Sequence, residues 1–367
     1  MMIKSTSLLA AALLMFGVTQ GVAAEKEYIL TGAKPDKLYL VDAKARTVAK
    51  EYVVPGPGVG PGTIVPSPDN SIAYIVTNHT KSVTGIDLRT GKEVFRADMS
   101  HADDERTVNL GLAVSPDGKK LYSYEIPARI LADRYEVLPT RISVYATDGG
   151  LEAQPVTTFE ASRRIHLLVA SPDGKKLYAL GWDLYTLDAE TGKVLSTYPL
   201  RNWTRANASP PDLLNFWPMP EASGMFSSVM TYMRTDLPED DPNAFVVALL
   251  TLDLATGKAD VVPLKIDPTV YFTATLSPDR KYAYAGYLSL VKVDMQKRAA
   301  IKSVPLDHSY YQVNVSLDGS EVYLGGTMCD IAIYSAADLS RAATVKLPGC
   351  PDMAAAGFRV IKLDLGE

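Results

Sequence analysis

Short apolar runs separated by polar turn residues dominate the chain. Leu110 to Val114 and Leu167 to Ala170 are two such runs, and each leads into the same octapeptide, SPDGKKLY, at 115–122 and 171–178. Ser, Pro, Asp and Gly in that order specify a type I turn. Proline pre-sets φ, Asp bonds to the local backbone and Gly relieves the exit. The Leu-Tyr pair then starts a second apolar run, so the pattern predicts a β-hairpin. Weaker copies are SPDNSIAY from Ser67, SPDRKYAY from Ser277 and SLDGSEVY from Ser316. The copies begin at 67, 115, 171, 277 and 316, in steps of 48, 56, 106 and 39. The third step is two units long. WPMPEASGMFSSVM, Trp217 to Met230, lies near its middle and is the expected decayed copy.

A second marker alternates with the first. GIDLRTGKEV from Gly85, TLDAETGKVL from Thr186 and TLDLATGKAD from Thr251 read as strand, Asp-x-x-Thr-Gly turn, strand. Degraded forms begin at Leu40, Val144, Lys292 and Ile333. Two hairpins per unit give four strands, and units of about 40–50 residues with four strands predict a β-propeller. Six units carry both hairpins. A seventh has its Asp hairpin at the chain start, and AGFRVIKL, Ala356 to Leu363, is available to supply its missing strand. The expected fold is all-β: one seven-bladed propeller over 25–367, with four-stranded antiparallel blades and a ring closed by pairing the N- and C-terminal strands, which removes exposed edges.

The first 24 residues stand outside this pattern. Lys4, the apolar run Leu8 to Val18 and Val22-Ala23-Ala24 before Glu25 make a secretory signal peptide cleaved after Ala24, too short to span a membrane. No later stretch is long and apolar enough to cross a bilayer. The expectation is an exported protein. Lys and Arg number 37 against 42 Asp and Glu, with no basic block, which argues against nucleic acid as a partner. Cys329 and Cys350 flank a strand-turn-strand that would bring them together. In an oxidising compartment a disulfide is the leading reading, and two free thiols are the alternative.

Catalytic signatures are sparse. The four histidines, His79, His101, His166 and His308, form no metal-binding pair, and no Cys-x-x-Cys-His haem site occurs. GPGVGPG, Gly56 to Gly62, reads as an inter-blade loop. HADDER, His101 to Arg106, reads as a solvated connection, with a cation or polar-ligand site as the alternative. Two stretches break the repeat: Ile126 to Arg141 and Arg201 to Phe245. Insertions on propellers emerge on one face and often carry binding. Trp203, Phe216, Trp217 and Tyr232 in the larger insertion, with Tyr310 and Tyr311 of HSYYQVNVS, either pack the loops or form a partner or ligand surface. Of the two adjacent tyrosines, one should point into the sheets and the other away.

The runs EYILTGAKPDKLYLVDA, RISVYATDGG, YALGWDLYTLDAETG, LLTLDLATGK and SVPLDHSYYQVNVSLDGSEVYLGG closely resemble the β subunit of quinohemoprotein amine dehydrogenase, in the same order over nearly the whole mature chain. The resemblance implies a periplasmic heterotrimer that oxidises primary amines to aldehyde plus ammonia. It places cysteine tryptophylquinone on a small γ subunit and two c-type haems on an α subunit. The β chain would hold no cofactor, metal or catalytic residue and would wall the substrate pocket, with Trp203, Phe216, Trp217, Tyr232, Tyr310 and Tyr311 as the candidate pocket or interface residues. The rival reading is an exported YVTN-like propeller that acts alone as a binding module.

Overall fold

The computed structural model describes residues 25–366 except 57, 59–61, 214–216, 218 and 355. The expected signal peptide with its expected cleavage after Ala24, the candidate Phe216 and much of GPGVGPG therefore lie outside the described residues. Seven antiparallel sheets form the predicted propeller. Blade 2 comprises Ile64–Pro66, Ile72–Thr77, Ser82–Asp87 and Glu93–Asp98. Blade 3 comprises Glu105–Val114, Lys120–Ile130, Arg141–Ala146 and Pro155–Glu160, with Tyr135–Val137 added beside its second strand. Blade 4 runs through Leu167–Ala170, Lys176–Leu180, Leu184–Asp188 and Val194–Tyr198. Blade 5 runs through Asp212–Leu213, Met225–Met233, Phe245–Asp253 and Ala259–Pro263. Blade 6 holds Thr273–Leu276, Tyr282–Gly286, Ser289–Asp294 and Ala299–Pro305. Blade 7 holds Gln312–Val315, Glu321–Gly325, Asp330–Ser335 and Arg341–Lys346.

Blade 1 closes the ring. Its inner strand is Phe358–Leu363, paired to Lys26–Ala33 from Lys26↔Leu363 to Thr31↔Phe358, followed outward by Lys37–Asp42 and Thr47–Val53. The strand predicted to come from the C-terminus does so.

Seven apolar clusters lie between neighbouring blades, one per junction. The repeated octapeptide accounts for much of this packing. Its final tyrosine, at Tyr74, Tyr122, Tyr178, Tyr284 and Tyr323, is buried in every copy. Tyr178 of blade 4 donates its hydroxyl to the Leu254 carbonyl of blade 5 at 3.1 Å, and Tyr284 of blade 6 to that of Ala336 in blade 7 at 3.2 Å. Tyr323 of blade 7 reaches Glu27 of blade 1 at 2.7 Å. Burial of a ring with its hydroxyl satisfied gives apolar stabilisation without an orphaned donor.

In six blades the third and fourth strands share a register shift just before the Asp turn; blade 5 has none. Such bulges increase local twist. Blade 5 departs again at its inner strand, which is two residues long. The hidden repeat is there, but Gly224 N–H closes its turn on the Pro220 carbonyl at 2.8 Å instead of using a Ser-Pro-Asp-Gly turn.

Candidate interaction face

Strand direction divides the loops between two faces. Turns joining first to second and third to fourth strands emerge on the lower face. Hairpins joining second to third strands, and connections between blades, emerge on the upper one. The octapeptide and Asp turns are therefore all on the lower face. Both cysteines, all four histidines and the Ile126–Arg141 insertion belong to upper-face segments. The larger insertion is divided, with 201–211 and 234–244 on the upper face and the Pro220–Gly224 turn, between the first two strands of blade 5, on the lower.

The central channel is crossed by a contact between distant blades. Arg359 on the inner strand of blade 1 pairs with Glu221 from the blade 5 segment, and donates to the Ile64 carbonyl at 3.0 Å. Trp217 and Met219 of that segment are buried.

The candidate aromatics fall into separate groups. Trp203 and Tyr232 meet edge to face, with ring centroids 5.1 Å apart, at the junction of blades 4 and 5. The Trp203 indole N–H donates to the Ser209 carbonyl at 2.7 Å, which folds the connection back on itself. Tyr310 and Tyr311 diverge as expected. Tyr310 is buried and donates to Asp330 at 2.7 Å; burial together with that carboxylate pushes its phenol up. Asp330 also meets His308 Nε2 at 2.8 Å. Tyr311 is half-buried and stacks on Phe272, with centroids 4.4 Å apart and planes 6° from parallel. Tyr287 joins them, 4.6 Å from Phe272. Phe272 and Tyr287 were not among the sequence candidates. Each borders an upper-face loop next to a repeat strand, a position that alignment of the repeats would have marked.

Beside Tyr310, Cys329 and Cys350 form the expected disulfide. They line a cavity of about 650 Å³ together with His308, Asp330 and Arg341. The Cys329 carbonyl accepts the Leu347 N–H at 2.8 Å, so the bond clasps both ends of the outer hairpin of blade 7.

HADDER is not wholly a solvated connection. Glu105 is buried and pairs with Arg141 at 2.7 Å, and the same guanidinium holds fully buried Glu125 at 2.7 Å. Tyr145 donates to Glu125 at 2.9 Å, and His101 lies 3.7 Å from it. The two carboxyls move in opposite directions. Burial alone would raise Glu105, but hydrogen bonds from Arg141, Thr107 and the His101 N–H outweigh it and hold Glu105 at about 2. Deeper burial pushes Glu125 up despite Arg141. Above this network lies a cavity of about 620 Å³, lined by Lys81, Asp98, His101, Asp103 and Arg106 among others. A larger groove of about 880 Å³ sits at the lower face between blades 1 and 7. Its Arg46–Glu321 pair and Tyr323–Glu27 contact already satisfy one another, so its volume signals less chemistry than the upper face does.

No protein-family model matches the chain, and no curated protein matches it. Solved structures share the fold. Hydrazine synthase of Kuenenia stuttgartiensis aligns with TM-score 0.55 at 16% identity, covering 85% of this chain and 90% of that one. A functionally unknown protein from Desulfotomaculum acetoxidans DSM 771 aligns with TM-score 0.57 at 9% identity, covering 91% and 99%. At these identities the likeness is one of architecture: this chain is a seven-bladed β-propeller.

Proposed function

We propose that the chain is the scaffold subunit of a periplasmic quinohemoprotein amine dehydrogenase, exported by cleavage after Ala24. Its upper face would seat a small quinone-bearing γ subunit and a dihaem α subunit. The observation carrying this reading is the half-buried group Phe272, Tyr287 and Tyr311. It stands on the face that bears the smaller insertion and both outer parts of the larger one, and Tyr311 belongs to the sequence run with the strongest family resemblance.

Both cysteines are bonded to each other, which leaves no thiol here for a thioether-linked quinone or haem. The oxidising group, cysteine tryptophylquinone, and the two haems would be supplied by the partners. This chain's part is to exclude water and orient the primary amine as a proton is removed. In this reading Tyr311 presents its ring to the pocket. Tyr310 fixes the same loop through Asp330. Trp203 and Tyr232 hold the connection between blades 4 and 5, and Trp217 anchors the segment in the channel.

The test is native purification from the source cell. Co-elution with a dihaem chain and a small chain, and haem reduction on amine addition, are the expected results. Tyr311→Ala should weaken assembly or alter amine preference while leaving the melting temperature of the isolated chain nearly unchanged. A chain that purifies alone, without haem, would favour the stand-alone binding module.

A further inference from the structure

Three upper-face segments converge around Trp182, which is 43% exposed. The hairpin of blade 4 turns tightly at Gly181-Trp182-Asp183, with the Gly181 N–H on the Asp183 carbonyl at 3.0 Å. A Cβ on Gly181 would stand 2.8 Å from the Arg164 carbonyl oxygen, so only glycine admits the connection from blade 3 at this distance. The connection to blade 5 is tied down by the Arg201 N–H on the Trp182 carbonyl at 3.1 Å. Asp183 accepts the Leu200 and Arg201 N–H groups at 2.7 and 3.1 Å, which commits its Oδ1 to the backbone.

This frame gathers cations without carboxylate partners. The Arg201 guanidinium lies 4.1 Å and that of Arg164 5.6 Å from the Trp182 ring centroid. Arg205 lies 5.7 Å from both the Trp203 and Tyr232 rings and spends one donor on the Val261 carbonyl at 3.3 Å, and Arg163 is exposed beside Arg164. None of the four makes an ion pair among the described residues, whereas nine other arginines do. A guanidinium stacked on an aromatic face keeps its in-plane N–H donors free for bidentate acceptors. The whole chain carries a net charge of −5, so this patch runs against the molecule's own field.

We infer that Arg163, Arg164, Trp182, Arg201 and Arg205 form a docking site for an acidic segment of another polypeptide. Carboxylates would engage the guanidinium edges, and an apolar side chain of the same segment would cover the exposed indole. The need for that cover favours a polypeptide over a free anion. Arginine and tryptophan together are the residues that dominate binding energy at protein interfaces. The inference does not depend on amine oxidation, and its test reads no enzyme activity.

The test uses the full chain in its source cell, with Asn202 replaced by the photo-crosslinking p-benzoylphenylalanine. Asn202 is exposed and adjoins Arg201. Adducts are mapped by mass spectrometry. The expected adduct is on a different polypeptide, within a segment carrying at least two Asp or Glu. Its yield should fall roughly tenfold in Arg164→Gln/Arg201→Gln and less in Arg164→Lys/Arg201→Lys, which keeps charge but loses the planar fork. Unchanged melting temperatures show that both variants are folded. An adduct on a neutral or basic segment, on a second copy of this chain, or on nothing overturns the inference. So does a yield insensitive to the Gln substitutions.

Discussion

On the lower face, Ser67, Ser115, Ser171, Ser277 and Ser316 begin five copies of one turn. Each serine hydroxyl donates to the Asp two residues on, and each accepts the N–H five residues on at 2.9–3.0 Å. The fourth position takes a left-handed φ in all five, whether Gly, Asn70 or Arg280. Among the described residues of the upper face no such shared device exists. One connection is clasped by a disulfide across 21 residues, another by a buried Glu-Arg-Glu network. Loops that satisfy their own polar groups locally can be repeated at no risk to the fold. Loops held by distant partners are free to differ, and that freedom is where a binding surface can be built.

The sharpest way to break this contrast is to remove a long-range partner. Arg141→Ala would leave Glu105 and Glu125 uncompensated in a buried site and should cost about 3–5 kcal/mol, measured by urea unfolding. A loss no larger than that of a surface substitution would mean the upper face does not rest on distant pairs. The pH response offers a second reading. Glu105 lies at about 2 in the fold against an ordinary 4.5, so its contribution is present above the unfolded value and is lost as pH falls through about 2. Glu125 is raised, so its contribution is present at low pH and is lost as pH rises through its folded value. Glu105→Gln should therefore make the acid-side loss of stability shallower, and Glu125→Gln should make it steeper. Identical pH profiles for the two variants would refute the assignment.

The disulfide comes next in size. It spans 21 residues of sequence, and by constraining that loop in the unfolded chain it stabilises the fold by about 3 kcal/mol on the chain-entropy model. Cys329→Ser/Cys350→Ser should lower the melting temperature of the oxidised protein to that of the reduced wild type. If the double variant melts with the oxidised wild type, the clasp contributes nothing to the last blade before closure.

The same contrast explains how much could be read from the chain. The lower-face turns were legible because a few consecutive residues both specify and satisfy them. The closing strand was legible because counting hairpins left one blade short. Blade 5 could be located only by its spacing, since WPMPEASG makes its turn from Pro220 and Gly224 without the repeat's side chains. Glu105 was read as part of a solvated loop because its partner Arg141 lies 36 residues away, on another strand of the blade. The grouping of Tyr311 with Phe272 and Tyr287 depends on how blades 6 and 7 meet. The unpaired arginines around Trp182 likewise become a cluster only when three loops converge. Local chemistry writes itself into short motifs, while the candidate surface is made by juxtaposition.

The smallest effect tests the other side of the contrast. Ser171→Ala removes the hydroxyl that links Asp173 to the Lys176 N–H, leaving the Gly174 N–H to Ser171 carbonyl bond at 2.9 Å intact. Ser171 is buried, Asp173 exposed and Lys176 half-buried, and the net loss of one such hydrogen bond should cost about 1 kcal/mol. The same change at Ser67 or Ser277 should cost the same within a few tenths, because the bonds of the serine itself are copied and all lie within the turn. Combining Ser67→Ala with Ser171→Ala should then add, the two sites being on separate blades. A marked inequality among the single changes, or a double change that costs more than its parts, would show that these turns are coupled through the ring and that the lower face is not the self-contained half of the molecule.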